Sequence, residues 1–403
     1  MRISTSSFYE LSQTSMGSQQ SNLLRVEQQL GAGSKILTPS DDPISATRAL
    51  TVSQSIALGT QYTASRGQAI QTLSLEEVTL QNVTSVLQDV KTLVVQAGNG
   101  TISDADRVSI ATALQSNLDQ LQGLANTDDG NGQYLFAGFK SASPPFVKQT
   151  DGSILYSGDQ GQRMVQVDVA RQMAVTDDGR SIFQSVQGGA GYVNAANVAN
   201  TGTGVFSANS VLDATDPNFG KDFSISFPSA TSYQVDTVPP GAVLGSGSYS
   251  AGATIQFGGL QIAISGAPAA GDSFNVSTAQ NAGADVFGAL GDIIAALRKP
   301  IDSGSNANRA QLLNALSTAN KKITNAHDNV LTVRSSIGSR LQELDALNTA
   351  GSNRTQVDRS QLSDLQDLDY ATAISELYQR QTALQATQQA FVKIQKLSLF
   401  NFL

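Results

Sequence analysis

The sequence predicts an α+β, multidomain chain whose N- and C-terminal helices form an antiparallel coiled coil and a helical bundle, with a mainly-β domain inserted at the middle. Three observations predict it. Apolar residues recur every seven positions near both ends, the hydrophobic period switches from helical to alternating near residue 145, and Gly, Ser, Thr and Asn dominate much of the alternating region. With 403 residues the chain is long enough for two or three separate cores.

At the N-terminal end, Tyr9, Met16, Leu23 and Leu30 repeat at heptad spacing, with Val26 between them, and so occupy one stripe of a helix that Gly31 and Gly33 close. Tyr370, Leu377, Leu384 and Phe391 repeat the same spacing at the other end, after Leu362 and Leu365 and before an apolar tail of Leu397, Leu399, Phe400, Phe402 and Leu403. These eight heptad residues are the candidate interface. The segment Ser12 to Asn22 is mostly Ser, Gln, Thr and Gly, together a mediocre helix-forming mixture, so the first helix depends on a partner surface.

Inside these ends, Leu73, Leu80, Val83, Leu87, Val90 and Val94 share one seam, which Asn99-Gly100 stops. Ser103 is placed to cap a helix carrying Val108, Ala111, Leu114, Leu118 and Leu121, and the Asp128 to Gly132 run is a turn. Val286, Leu290, Ile293, Ile294 and Leu297 predict a helix ended by Pro300, and Leu313, Leu316, Ile323, Val330, Ile337, Leu341 and Leu344 a long one. Ser40-Asp41-Asp42-Pro43 ends one helix and begins another, with Pro43 in the first turn and an aspartate capping it.

Between 145 and 282 the pattern alternates, as in Ile154 and Tyr156, then Val165, Val167 and Val169, then Phe223, Ile225 and Phe227, with turns at Asp151-Gly152 and Gly258-Gly259. From Gly188 to Gly252 small residues blur the alternation, and long loops compete with strands.

Several function classes are disfavoured by what is missing. The net charge of -8 and the lack of any Lys/Arg run argue against nucleic acid as a partner. There is no cysteine and one histidine, His327, which rules out Cys-ligated zinc and two-histidine zinc motifs by counting; His327 is expected on a solvated helix surface beside Asp328. No G-x-S-x-G elbow or phosphate-cradling glycine loop is present, and the pairs Asp41-Asp42, Asp128-Asp129 and Asp177-Asp178 precede Pro or Gly as turn and cap residues do. Asn126, Asp128 and Gly130 begin like a calcium loop, but Ala137 stands where its closing acid belongs. No catalytic, cofactor or metal site is expected. No apolar stretch reaches the roughly 20 residues that span a bilayer, so no membrane partner is expected, and Met1 to Tyr9 does not carry the apolar core of a secretory signal peptide.

Four segments carry a resemblance: Met1-Arg2-Ile3-Ser4-Thr5, Lys35 to Pro43 (KILTPSDDP), Gly132 to Lys140 (GQYLFAGFK) and Phe391 to Leu403 (FVKIQKLSLFNFL). In order and position they are similar to the flagellar hook-associated protein 3 family of hook-filament junction proteins, itself related to flagellin, and Tyr156 to Gly161 (YSGDQG) extends the likeness until it fades at about 190 to 280. The resemblance implies a secreted, extracellular structural protein of the bacterial flagellum, concerned with motility and exported by the flagellar type III route. It implies as partners other copies of the chain, the neighbouring hook-associated junction protein, flagellin and an export chaperone. The change of hydrophobic period along the chain divides it into a terminal coiled-coil polymerisation domain (1–40 and 362–403), a helical bundle domain (41–144 and 283–361) and the inserted β domain (145–282). Two rival readings are flagellin, the bulk filament subunit, and an extracellular adhesin module carried on the β domain.

Overall fold

A computed structural model describes residues 5–239, 241, 243–301 and 305–400, with side chains described for residues 9–393 of these ranges. Met1 to Ser4 of the opening motif and Phe402 and Leu403 of the tail lie outside the described residues, as do the side chains of Leu397, Leu399 and Phe400. In chain order the helices are α1 (Thr5–Ala32), α2 (Pro43–Ala97), α3 (Asp104–Ala125), α4 (Gly179–Phe183), α5 (Val286–Leu297), α6 (Asn306–Gln366) and α7 (Tyr370–Phe400). Among the described residues the chain forms two compact units, one of Met1–Ala64 with Ala346–Leu403 and one of Ser65–Asp345; the division falls inside α2 and α6.

In the larger unit the predicted α2 seam is the core seam: Leu73, Leu80, Val83, Leu87, Val90 and Val94 are all buried. The helix stops where Asn99-Gly100 begins a turn. α3 starts with a reciprocal capping box, the Ser103 hydroxyl accepting from the Asp106 amide at 3.2 Å while the Ser103 amide donates to Asp106 at 3.1 Å. Its buried stripe runs Arg107, Ile110, Ala111, Leu114, Leu118 and Leu121 and leaves Val108 on the exposed side, contrary to expectation, because that stripe already fills the 3.6-residue face that packs toward α5. A similar shift occurs at the start of α6, where Leu312 rather than Leu313 is buried.

The predicted β region begins with two hairpins, β1 (Phe146–Lys148) with β2 (Ile154–Tyr156) and β3 (Met164–Asp168) with β4 (Arg171–Ala174). Val169 is not in a strand but in the exposed turn between β3 and β4. The remaining strands are β5 (Tyr192–Ala196), β6 (Val205–Phe206), β7 (Ser210–Val211), β8 (Asp222–Ser229), β9 (Ser232–Val238), β10 (Val243–Ser248), β11 (Thr254–Phe257), β12 (Leu260–Ser265) and β13 (Ser273–Thr278). They build a five-stranded antiparallel sheet, β10-β9-β8-β13-β5, and a four-stranded one in which β12 pairs with β11, β6 and β7. The blurred stretch from 188 to 252 holds six strands, β5 to β10, separated by loops that take up more than half of it, and β5, β6, β7 and β8 draw pairing partners from 254 to 278 that compensate for weak local alternation.

Inward residues of both sheets meet in one core. Phe223, Ile225 and Phe227 of β8 alternate with half-buried neighbours, and Phe223 stands edge-on to Phe257 of the other sheet at 5.0 Å between ring centres. A second aromatic cluster explains the GQYLFAGFK segment: Phe136 meets Phe183 of α4 at 5.7 Å, and Phe146 of β1 meets Phe183 at 5.3 Å and Phe287 of α5 at 4.9 Å. Gly138 takes φ +69° and lies so close to Asp159 that a Cβ would clash, which accounts for glycine after Ala137. Buried amides on α6 hold the strands, Asn314 accepting from the Phe206 amide at 3.1 Å and donating to the Gly204 carbonyl at 2.8 Å.

Phe223 is fully buried, so Phe223→Ala removes its ring contacts and leaves a cavity between the sheets. Denaturant unfolding should show a loss of about 3–5 kcal/mol. A loss below about 1 kcal/mol would mean that the two sheets do not depend on this ring.

Candidate assembly interface

α1 forms from a sequence rich in Ser, Thr and Gln, and its hydroxyls fold back onto its own carbonyls, Thr14 to Glu10 at 2.8 Å and Ser18 to Thr14 at 3.0 Å. What holds it is α7, packed along it in the smaller unit. α1 ends at Ala32, and Gly33 adopts φ +67°, the left-handed conformation in which a helix terminates.

The next residues knit this turn to the break between α6 and α7. The Leu368 amide donates to the Gly33 carbonyl at 3.1 Å, the Lys35 amide to the Gln366 carbonyl at 2.9 Å, and Ser34 bridges Asp367 antiparallel. Asp369 then caps α7, accepting from the Ala371 amide at 3.0 Å and the Thr372 hydroxyl at 2.7 Å. Far along the pair, the rings of Tyr9 and Phe391 lie 5.2 Å apart.

These two ends define the register of an antiparallel pair. Residue numbers facing one another add to 400 at Tyr9 with Phe391 and to 401 at Gly33 with Leu368, so, with equal rise per residue, Met16 stands level with Leu384, Leu23 with Leu377 and Leu30 with Tyr370. Met16, Leu23, Leu30, Leu377, Leu384 and Phe391 are half-buried, whereas Tyr9 and Tyr370 are exposed. Among the described side chains, the buried positions are Val26 on α1 and Ala373 on α7. Sequence reasoning missed Ala373; its signal was a small residue three positions after Tyr370, on the same helix face, where close helix approach leaves no room for a larger one. Leu11, Leu24, Ile374, Tyr378 and Val392 face outward from the unit.

The run Thr38 to Pro43 behaves as the sequence predicts. Asp42 caps α2, accepting from the Ile44 and Ser45 amides at 3.1 and 3.0 Å, with Pro43 as the first helical residue. Asp41 instead pins the preceding turn, accepting from the Thr38 and Leu37 amides at 2.9 and 3.1 Å. The Thr38 amide holds the Asp41 carboxyl below the usual carboxylate value, Ser45 does so for Asp42, and the Thr372 hydroxyl for Asp369.

The other acidic pairs are likewise engaged in turns and ion pairs. Asp128 accepts from Gly130 and Asp129 from Asn131 and Gln133, Asp178 caps α4, and Asp177 pairs with Arg340. The Asn126 to Gly132 segment is a turn with Gly130 and Gly132 at positive φ. His327 departs from expectation. Its side chain is only 14% exposed, with Nδ1 3.5 Å from Asp328 and Nε2 buried without a hydrogen bond, because Ile323, Ala326 and Val330 around it lie on the packed face of α6.

The α1–α7 junction can be tested in two ways. A Cβ on Gly33 would lie 2.9 Å from the Tyr370 hydroxyl at a positive φ, so Gly33→Ala should destabilise the terminal unit by about 1–2 kcal/mol, read as loss of helical signal at lower temperature; unchanged melting would remove Gly33 from the junction. The depressed carboxyls of Asp41, Asp42 and Asp369 contribute stability above their ordinary value of 3.8 that is lost as pH falls through their lower folded values. Circular dichroism should accordingly show melting of this unit in acid below 3.8, reduced in the Asp42→Asn, Asp369→Asn double variant; identical acid profiles would contradict it.

Comparison with known proteins agrees with this architecture. The bacterial flagellin N-terminal helical region matches residues 3–141 and the bacterial flagellin C-terminal helical region residues 320–403. Flagellar hook-associated protein 3 of Salmonella typhimurium is 32% identical over 100% of this chain and 99% of its own length. The crystal structure of FlgL from Xanthomonas campestris is 31% identical, with a TM-score of 0.68 over 77% of this chain and 99% of its own. That of the flagellar junction protein FlgL from Legionella pneumophila is 27% identical, with a TM-score of 0.67 over 79% and 100%. Flagellins match over a far smaller share, 32% of the chain for the phase 1 flagellin of Salmonella naestved. The end-to-end likeness, on a fold of paired terminal helices with a β region between them in the chain, means that this chain belongs to the flagellar hook-associated protein 3 family of the flagellin group.

Proposed function

We propose that the chain is a structural, non-catalytic subunit at the junction between flagellar hook and filament, which polymerises with copies of itself through the paired terminal helices. In this reading it is exported by the flagellar type III route with the help of a chaperone, resides outside the cell, and contacts the neighbouring hook-associated junction protein on one side and flagellin on the other. Residues 1–40 and 362–403 are its polymerisation domain, with Tyr9, Met16, Leu23, Leu30, Tyr370, Leu377, Leu384 and Phe391 as its seam.

The observation that carries the reading is the incomplete burial of a correctly registered helix pair. Six of the eight seam residues are half-buried and both tyrosines exposed. A fully buried Leu or Phe contributes roughly 1.5–3 kcal/mol, so much of the stabilisation these stripes offer is still to be gained when neighbours cover them. Repeated contacts of this kind between copies are heterologous and extend a tube. The full-length likeness to hook-associated protein 3, against partial likeness to flagellins, favours an adaptor over a bulk filament subunit. The adhesin reading has no specific observation in its favour.

Removing residues 362–403 should leave the larger unit folded, since its core lies within Ser65–Asp345, while abolishing filament growth. Electron microscopy of a strain carrying only the truncated chain should show hooks without filaments and flagellin released into the medium. Motile, filamented cells would overturn the proposal.

A further inference from the structure

Three elements of the larger unit meet at a group of charges, partly buried around one fully buried carboxyl, that the assembly role does not use. Glu76 of α2 is fully buried. One of its carboxyl oxygens accepts from the Asp177 amide at 3.3 Å, and the other is buried without a partner. The Asp177 side chain pairs with Arg340 of α6, and Arg340 also donates to the Ala174 carbonyl at the end of β4 at 3.0 Å. Arg163, just before β3, donates to Gln133 at 2.6 Å and keeps its Nε and one terminal nitrogen buried and unpartnered. The Val175 amide donates to the Arg163 carbonyl at 2.9 Å, which ties this arginine to the same segment.

The groups facing Glu76 are thus Asp177 from the strand-to-helix connection, Arg340 from α6 and Arg163 from the start of the β3–β4 hairpin. Arg340 is already committed to the Asp177 carboxylate, so an ionised Glu76 would add a second negative charge beside it, with one buried oxygen bare. We propose that Glu76, Asp177, Arg163 and Arg340 form a proton-operated latch that seats the β3–β4 hairpin and α4 on α2 and α6, closed when Glu76 carries a proton and loosened when it loses it. Burial is the main cause that holds the Glu76 carboxyl well above its ordinary 4.5, with repulsion from Asp177 adding to it and Arg340 opposing it.

Linkage fixes the sign. In the open latch Glu76 regains its ordinary value of 4.5, and in the closed one it keeps its proton to higher pH. Opening therefore releases one proton above pH 4.5, so the latch is strongest below that pH and weakens as pH rises, until the closed carboxyl itself ionises. Release of one proton raises the opening constant by about tenfold per pH unit across that window. Two neighbouring fastenings also hold the hairpin, Arg66 donating to the Val167 carbonyl at 2.9 Å and Arg171 pairing with Glu343 at 2.6 Å.

Hydrogen exchange on the full-length chain between pH 5.5 and 8.5, corrected for the intrinsic pH dependence of exchange, reads the latch in peptides covering residues 163–183. Their protection should fall by up to about tenfold per pH unit in the native protein, and Glu76→Gln should abolish that slope while leaving peptides of the β8–β9 sheet unchanged. Equal slopes in the two proteins would overturn the proposal. A flat profile in the native protein would do so without any variant, should the glutamine form fail to fold.

Discussion

Everything in the terminal unit depends on one constraint: neither α1 nor α7 can bury its apolar stripe alone. α1 carries many Ser and Thr residues and two Gly, which form helices poorly, and its stripe is only four heptad positions long. Pairing with α7 supplies the missing surface, and the junction of Gly33, Ser34 and Lys35 with Gln366, Asp367 and Leu368 sets the register from one end. Tyr9 and Phe391 then arrive side by side more than twenty residues away from that junction. A slip of one turn would separate those rings and leave Val26 and Ala373 without the close approach that buries them.

The larger unit solves a different problem. Its β region must be attached to long helices without exposing backbone polar groups, and it does so in two ways. Aromatic rings from the 132–140 loop, β1, α4 and α5 form a continuous apolar contact, and buried side chains on the helices, Asn314 and Asn329 among them, satisfy carbonyls and amides of the strand and loop segments. Glu76 belongs to this second group but differs from it in carrying a removable proton, which makes one fastening conditional where the others are permanent.

Much of this was legible in one dimension. The helix seams of α2, α5 and α7, the stops at Gly33 and Asn99-Gly100, the caps at Ser103 and Asp42, and the alternation of β8 all rest on interactions within a few residues of each other, which local pattern records. Much of the rest of the stretch from 188 to 252 was less legible because several of its strands are specified by partners tens of residues away: β5 needs β13, and β6 and β7 need β12. Val108, Leu313 and His327 were misplaced for a related reason. Periodicity states that a helix has an apolar face, but which of two adjacent residues lies on it depends on the neighbour that covers it.

The heptads at Tyr9 to Leu30 and Tyr370 to Phe391 were by themselves sufficient to determine that the two ends match, because spacing along a helix is a property of the chain alone. How they meet was decided only by the tertiary structure: the constant register, the burial of Val26 and Ala373, and the contact of Tyr370 with Gly33 arise between residues more than three hundred positions apart. The same holds for Glu76, an ordinary glutamate on a helix until α6 and the Asp177 segment enclose it. Desolvation is set by what lies around a group in space, and sequence order does not record it.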